Sequence, residues 1–177
     1  MQNNFPQIQT DRFLLRKIES TDIENIFRGL SHPDVIKFYG ISFQTMEDTK
    51  MQMDWYDNLY ETQTGIWWAI VDKNEGTFYG AAGLNDVSHK HKKGEVGMWL
   101  LPDFWGNGVL GEVMPFVLNF GFSELKLHRI EGFVEHTNEK CKRAVEKNGF
   151  ILEGTMRDCE IKHDTFISLD IYAKFAK

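Results

Sequence analysis

The apolar residues of the first third of the chain follow strand spacing and then helix spacing. Phe13 to Arg16 predicts a short strand, and Ser20 to Asp22 then offers N-cap side chains for a helix. The apolar positions of that helix are Ile23, Ile26, Phe27 and Leu30. We expect Pro33 to end this helical region, and the pattern from Thr45 to Tyr60 predicts a second helix.

The middle of the chain changes to short β-rich runs. They span Ile66 to Val71, Phe78 to Leu84 and Glu95 to Leu101, and turn residues such as Lys73-Asn74-Glu75-Gly76 separate them. Three consecutive short strands joined by turns are typical of an antiparallel meander.

Beyond Pro102 the pattern predicts a helix, a strand, a second helix and a final pair of strands. The apolar face of the first helix is formed by Val109, Val113, Phe116, Val117 and Phe120. Pro115 lies inside it and is expected to kink or shorten it, because proline lacks the backbone donor. The later elements are His128 to Val134, Asn138 to Lys147 with Asn148-Gly149 at its end, and the strands from Phe150 onward. The order β-α-α-β-β-β-α-β-α-β-β predicts an α/β fold of the mixed α+β kind, with helices packed on a mixed sheet.

Composition and charge then limit the functions. Twenty Lys and Arg against 26 Asp and Glu give a net charge of −6, the wrong sign for binding nucleic acid through its phosphates. The 177 residues contain no repeat or linker, so we expect a single domain over residues 1–177. Neither Met1 to Pro6 nor any later stretch has the pattern of an export signal or a membrane span, which predicts a cytoplasmic protein. In that reducing compartment Cys141 and Cys159 are expected to be free thiols.

The string Gly106-Asn107-Gly108-Val109-Leu110-Gly111 is a G-x-G-x-x-G motif, and Glu131 follows 20 residues after its last glycine. This spacing is similar to a dinucleotide-binding fingerprint. However, Pro102 to Trp105 separates the strand from the first glycine, and too few residues follow for a doubly wound sheet. Glycines before a helix still favour a loop that binds a phosphorylated ligand. A glycine-rich turn without a ligand is the alternative.

Three segments, in order over nearly the whole chain, resemble a known family. Glu95 to Glu112, EVGMWLLPDFWGNGVLGE, resembles the acetyl-CoA motif of the GNAT (GCN5-related) N-acetyltransferases. Thr10 to Arg16 and Asn138 to Phe150 are similar to the branch that contains the RimJ/RimL ribosomal-protein N-terminal acetyltransferases. The resemblance implies acetyl-CoA as co-substrate and a GNAT fold. That fold has a central mixed, mostly antiparallel sheet of six to seven strands, flanked by about four helices.

The resemblance also implies which residues contact acetyl-CoA. Backbone amides of the loop would hold the pyrophosphate, and the preceding strand, which splays from its neighbour, would pair with pantetheine. Asn138, an ordinary N-cap residue by itself, would contact the pantetheine arm or an ordered water. The loop residues are Trp105, Gly106, Asn107, Gly108, Val109, Leu110 and Gly111, and the strand residues are Met98, Trp99 and Leu100. Trp105 and Leu110 depart from the general family pattern R/Q-x-x-G-x-G/A but are similar to the RimJ/RimL branch.

Acetyl transfer to an amine needs a base or a water relay for the amine and a proton for the departing thiolate. Glu95 is the first candidate for the base, because related acetyltransferases can carry a glutamate at this strand position. A surface carboxylate that neutralises nearby lysines is the alternative. Glu131 and Glu135 are second candidates, although we expect Glu131 to pair with Arg129.

Cys141 is the candidate acid. It occupies the position where proteins that resemble RimJ/RimL commonly carry serine, facing the acetyl-CoA sulfur, and a thiol can donate a weak hydrogen bond. A small buried helix residue is the alternative. The tyrosine acid of many other GNAT enzymes would fall on Val145, which disfavours chemistry of the spermidine-acetyltransferase kind. Direct transfer is expected, and an acyl-cysteine route through Cys141 is the alternative.

By resemblance, the favoured acceptor is a protein N-terminal amine. The alternatives are a small amine, such as an amino sugar, an aminoglycoside or a polyamine, and a non-catalytic acyl-CoA-binding sensor. Candidate walls of the acceptor site are Phe38, Tyr39, Trp55, Trp67 and Trp68, of which we expect one or two to contact the substrate and the others to lie in the core. We expect no metal site, because His89 and His91 alone do not close a coordination shell. Nucleic acid and membrane partners are not expected, and both a monomer and a homodimer remain open.

Overall fold

The chain forms one mixed sheet in the computed structural model, which describes residues 5–177. Its eight strands within that range follow the order β1-β2-β3-β4-β5-β6-β8-β7. Their bounds are β1 (Ile8–Gln9), β2 (Phe13–Lys17), β3 (Ile66–Asp72), β4 (Phe78–Ser88), β5 (Lys93–Leu100), β6 (Arg129–Glu135), β7 (Ile151–Lys162) and β8 (Thr165–Phe175). Residues 1–4, part of the stretch considered above for an export signal, lie outside the described residues.

Five α-helices are described in the same range. They are α1 (Ile23–Leu30), α2 (Pro33–Ile36), α3 (Met46–Glu61), α4 (Val109–Ser123) and α5 (Glu139–Lys147). The expected fold class is confirmed, and the meander of β3, β4 and β5 is antiparallel as predicted. The two-residue strand β1 and the one-turn helix α2 are additions to the expected order. Among residues 5–177 we find no helix long and apolar enough to cross a membrane.

The expectation based on Pro33 was wrong, and Pro115 does not shorten its helix. Pro33 begins α2 instead of ending a helical region, since the first helical position needs no backbone donor and Nδ1 of His32 caps the amide of Asp34. Pro115 lies inside α4, which runs unbroken to Ser123. The apolar face of α4 is buried on the sheet, and we attribute the tolerance of Pro115 to this packing, which offsets the roughly 3 kcal/mol that an internal proline costs.

The helices divide between the two faces of the sheet. Residues of α1 and α3 pack with Trp67, Ala81 and Trp99 on one face, called here the acceptor face. Residues of α4 and α5 pack with Ile130 and Val134 on the other, called the cofactor face. Successive side chains on a strand point to opposite faces, so the odd-numbered and even-numbered residues of one regular strand lie on different faces of the sheet.

The sheet opens between β5 and β6. These strands are parallel and pair only over Lys93–Glu95 with Arg129–Glu131, while β5 continues to Leu100 and β6 to Glu135. On its other side β5 stays paired with β4 as far as Leu100. The result is a gap between the two strands, with Glu95 and Glu131 at the point where they separate.

Candidate active site

The glycine loop lies at the end of β5, where the gap is open. After a 3-10 turn at Pro102–Phe104, Gly106 and Gly108 adopt positive φ angles of 78° and 74°, which favour glycine. A Cβ placed on Gly106 or Gly111 would meet nothing within 4 Å, so the surface beside these residues is open. Gly108 is the N-cap of α4, a helix of 15 residues whose N-terminal amides favour an anion. The donors and the free surface fit a phosphate group.

The side chain of Trp105 fastens this loop to the strand before it. Its Nε1–H donates a hydrogen bond of 2.9 Å to the carbonyl of Leu100, although the residue is 45% exposed. Val109 is buried in the core, so it can offer a ligand its backbone only. Leu110 is half-buried and packs against the same core.

The strand residues expected at the pantetheine divide between the two faces. Met98 and Leu100 pack on the cofactor face. The side chain of Trp99 lies on the acceptor face, is 4% exposed, and its Nε1–H lies 3.3 Å from Oη of Tyr56. Any contact of Trp99 with a ligand in the gap would therefore involve its main chain alone.

A clamp from the start of the chain holds the loop, and no pattern in the sequence predicted it. Oγ1 of Thr10 and the backbone amide of Arg12 donate to Oε1 of Glu112 at 2.6 and 2.8 Å. Nε of Arg12 donates to Oε2 at 2.6 Å, and its Nη1 donates to the carbonyl of Asn107 at 3.1 Å. Arg12 and Glu112 both lie in the segments whose sequences resemble the GNAT family. No spacing rule connects residues a hundred positions apart, so the contact itself had no sequence signal.

Asn138 and Cys141 meet at the N-terminus of α5. Oδ1 of Asn138 accepts a hydrogen bond of 3.1 Å from the backbone amide of Cys141, which confirms Asn138 as the N-cap. Cys141 is half-buried and packs on the cofactor face of the core. Burial raises the pKa of the Cys141 thiol, so at neutral pH this residue keeps its proton.

A buried carboxylate on β8 fixes the position of α5. Asp170 is 2% exposed, and it accepts hydrogen bonds from Lys142 on α5, from Thr155 and from the ring of His136, at 2.8, 2.6 and 2.9 Å. Burial alone would raise the pKa of Asp170, but these donors outweigh burial and bring it to about 2. The cluster ties the first turns of α5, where Cys141 lies, to β8.

Glu95 has the surroundings of a base. It is half-buried at the start of the gap, and burial raises the pKa of its carboxyl to about 7. The charge of Asp86 adds to this rise, as do Glu131 and Glu160, while a hydrogen bond from Asn85 opposes it. At neutral pH Glu95 is therefore poised to accept a proton.

The second candidates for the base are engaged in ion pairs. Glu131 accepts from Arg129 at 2.8 Å, as predicted, and from Lys93 at 3.1 Å. Burial alone would raise the pKa of Glu131, but the two cations lower it below its usual value. Glu135 accepts from Lys162 at 2.6 Å. A carboxylate already paired with a cation is a weaker base than Glu95.

The candidate base and the candidate acid lie on opposite faces of the sheet. Glu95 shares the parity of Trp99 on the acceptor face, whereas Cys141 packs on the cofactor face. The gap between β5 and β6 is the opening that connects the two faces. An amine could approach from one face while a thioester lies along the other.

The expected aromatic walls also divide between the faces. Trp67 lies on the acceptor face beside Trp55, with ring centroids 5.8 Å apart, and the interaction between Tyr39 and Glu95 places Tyr39 on the same side. The expectation for Trp68 was wrong, because strand alternation puts it on the cofactor face against Phe120. Phe38 contacts the ammonium of its neighbour Lys37, 5.2 Å from the ring centroid.

The indole of Trp67 fits against β4 and β5 because two neighbouring residues are glycines. A Cβ on Gly83 would lie 2.4 Å from Cγ of Trp67, and one on Gly97 would lie 2.5 Å from its Cζ2. Both distances are shorter than any real contact, so this indole can lie across β4 and β5 because both residues lack a side chain. Gly97 follows Glu95 on the same face, so the ring forms part of the floor beside the candidate base.

Comparison with known proteins agrees with this geometry. The family described as "Acetyltransferase (GNAT) domain" matches residues 12–151. An uncharacterized N-acetyltransferase of Bacillus subtilis, YoaA, is 32% identical over 170 residues, which are 96% of each chain. The spermidine N(1)-acetyltransferase of Escherichia coli is 24% identical over 155 residues, covering 87% of this chain and 78% of that protein.

A solved structure shows the same fold. The RimL ribosomal L7/L12 alpha-N-protein acetyltransferase, in complex with coenzyme A, superposes with a TM-score of 0.86. The match covers 96% of this chain and 98% of the other, at 16% identity. Together with the family match over most of the chain, these findings confirm the resemblance found in the sequence. The chain belongs to the GNAT acetyltransferases and is an N-acetyltransferase.

Proposed function

We propose that this protein transfers the acetyl group of acetyl-CoA to a primary amine by direct attack, with Glu95 as the base. The observation that carries the proposal is the place of Glu95, half-buried, with a pKa of about 7, where β5 and β6 separate. A carboxylate poised near neutrality can take the proton of an arriving ammonium group, which must be neutral before it attacks.

Acetyl-CoA supplies the activated acetyl thioester when it is bound. Amides of the loop from Trp105 to Gly111, together with the N-terminus of α4, hold the pyrophosphate. Backbone groups of Met98, Trp99 and Leu100 pair with pantetheine along the free edge of β5, and Asn138 contacts the same arm. The open surface beside Gly106 and Gly111 supports this assignment.

Cys141 has the role of proton donor toward the departing sulfur. Its raised pKa supports this role, because the thiol keeps a proton to donate. The same property argues against an acyl-cysteine intermediate, which would need the thiolate. Glu131 and Glu135, already paired with cations, have structural roles.

The proposed acceptor is a protein N-terminal amine, and residues 1–177 act as one cytoplasmic domain. The similarity to RimJ/RimL proteins supports this acceptor, and Val145 at the place of the usual tyrosine acid argues against a polyamine. A small cationic amine is the second candidate. Asp86 and Glu160, whose charges act on Glu95, favour a positively charged acceptor, and a relative acts on spermidine.

Thiol release from acetyl-CoA tests the proposal against a panel of N-terminal peptides, amino sugars, aminoglycosides and polyamines. We expect turnover with the peptides that is lost in Glu95→Gln while acetyl-CoA still binds. Turnover with polyamines alone would support the second candidate. Tight binding of acetyl-CoA without any turnover would favour a sensor, and no binding at all would contradict the role of the loop.

A further inference from the structure

One lysine joins two remote segments on the acceptor face. Nζ of Lys162, at the end of β7, donates to Oε2 of Glu135 on β6 at 2.6 Å and to the carbonyl of Lys37 at 2.9 Å. Lys37 follows α2 and is 125 residues away in the chain. We call this arrangement the Lys162 bridge.

The bridge is built to be stiff. The side chains of Lys162 and Glu135 are 19% and 12% exposed, which limits the screening of their charges by water. The second carboxylate oxygen of Glu135 accepts from Oγ1 of Thr137 at 3.1 Å, so both oxygens are held. Charge-assisted hydrogen bonds of this kind are stronger than neutral ones, and a half-buried pair holds its geometry better than an exposed pair.

The two segments that the bridge joins flank the candidate base. Tyr39 stands two residues after Lys37, and Glu160 stands two residues before Lys162 on the same face of β7. Both Tyr39 and Glu160 are close enough to Glu95 to interact with its charge. The bridge therefore connects two walls of the space above Glu95.

The segment on the α2 side depends on such a contact. Between α2 and α3, residues 37–45 form no helix or strand, and Gly40 is exposed with open space around it. Backbone hydrogen bonds from Tyr39 to Ile36 and from Phe43 to Leu30 tie it to its own helices. The Lys162 bridge ties it to the far side of the sheet.

We propose that Lys162 positions the acceptor side of the site, because its bridge holds residues 37–39 against β7 on the face of the sheet where Glu95 lies. Lys162 acts through the segment that it positions and does not touch the reacting atoms. The inference rests on the proposed function, since it names a residue that orders one wall of the same site.

Kinetics of Lys162→Met, compared with Lys162→Arg and with Lys90→Met in the exposed turn before β5, test this role. For the preferred acceptor, Lys162→Met should raise KM on the order of tenfold with kcat within about twofold, because a less ordered wall binds the amine less well. Lys162→Arg should recover most of the wild-type KM, because a guanidinium can donate to both partners. Lys90→Met should match the wild type.

Amide hydrogen exchange gives a readout that does not depend on turnover. Residues 37–45 should exchange faster in Lys162→Met than in the wild type or Lys90→Met, with no change in α4. Unchanged exchange together with unchanged KM would overturn the inference. A fall in kcat with a shifted pH profile would also overturn it, since Lys162 would then act on the chemistry. A wild type without turnover would contradict the proposed function itself, and the exchange data would still show whether the bridge orders the segment.

Discussion

The two faces of the gap between β5 and β6 are built in different ways. The cofactor face comes mainly from one nearly continuous stretch, Val96 to Glu112, with α5 beside it and the clamp of Thr10 and Arg12 holding it. The acceptor face combines segments that are far apart in sequence: residues 37–39, 85–86, 131–135 and 160–162. A local stretch takes most of its geometry from turn and helix chemistry, whereas an assembled face depends throughout on long-range contacts.

The charges on the two faces differ as well. On the cofactor face, Glu112 is satisfied by Thr10 and Arg12, and Asp170 is satisfied by Lys142. On the acceptor face, Glu95 has other carboxylates among its neighbours and, within residues 5–177, no cation at ion-pair distance. Paired charges give a rigid scaffold for binding, and an unpaired, half-buried carboxyl gives a group that can exchange a proton near neutral pH.

The sharpest test of this contrast is Glu95→Gln, for which we predict the largest effect. Glutamine keeps the shape but cannot accept a proton, so kcat should fall at least about 100-fold, the usual contribution of a general base. Acetyl-CoA affinity, measured by calorimetry, should stay within about twofold because the loop is unaffected. Equal losses of acetyl-CoA affinity and of kcat would mean that a change on the acceptor face also disturbs the cofactor face.

Gly108→Ala tests the cofactor face through the backbone alone. A side chain at a φ of 74° is strained by about 1–2 kcal/mol, which should weaken acetyl-CoA binding on the order of tenfold if the loop relaxes to relieve it. Gly76→Ala is a matched control, since Gly76 has a φ of 72° and open space in the turn between β3 and β4. Both variants should lose thermal stability, and only Gly108→Ala should change the KM for acetyl-CoA.

Arg12→Ala tests the clamp on the loop. It removes the hydrogen bonds to Glu112 and Asn107, and we expect the KM for acetyl-CoA to rise about fivefold through the loss of charge-assisted bonds. Initial rates at varied acetyl-CoA measure the effect. Lys17→Ala, which removes an exposed ion pair with Asp57, is the control and should leave this KM unchanged. An equal rise in both variants would show that the clamp has no special role.

Cys141→Ala should have the smallest effect. A donor with a weak hydrogen bond contributes modestly, so we expect kcat to fall about threefold with unchanged acceptor KM. Cys141→Ser keeps a donor and should stay close to the wild type. Complete inactivation of both variants would point to a covalent acyl-cysteine route instead.

Much of the cofactor face could be predicted from the sequence, because its signals are local. The positive φ angles at Gly106 and Gly108 and the N-cap at Asn138 follow from residue chemistry within a few positions. The fold class followed from the spacing of apolar residues. The full length of α4 despite Pro115 has a physical cause, since tertiary packing of this helix outweighed a local preference.

The acceptor face could not be predicted to the same degree. The side to which Trp68 points depends on strand register, and nothing in the spacing of the chain joins Lys162 to Lys37. The clamp of Thr10, Arg12 and Glu112, on the cofactor face, could not be predicted for the same reason. Contacts between residues more than a hundred positions apart are set by topology, which a single sequence does not display.

The pH dependence of kcat/KM for the amine, at saturating acetyl-CoA, tests the central claim most directly. Glu95 is a base only when deprotonated, so the rate should rise with pH through an apparent pKa near 7 and be lost below it. In the residual activity of Glu95→Gln this limb should disappear, leaving only the ionisation of the amine itself. A limb near 7 that persists unchanged in Glu95→Gln would contradict the account.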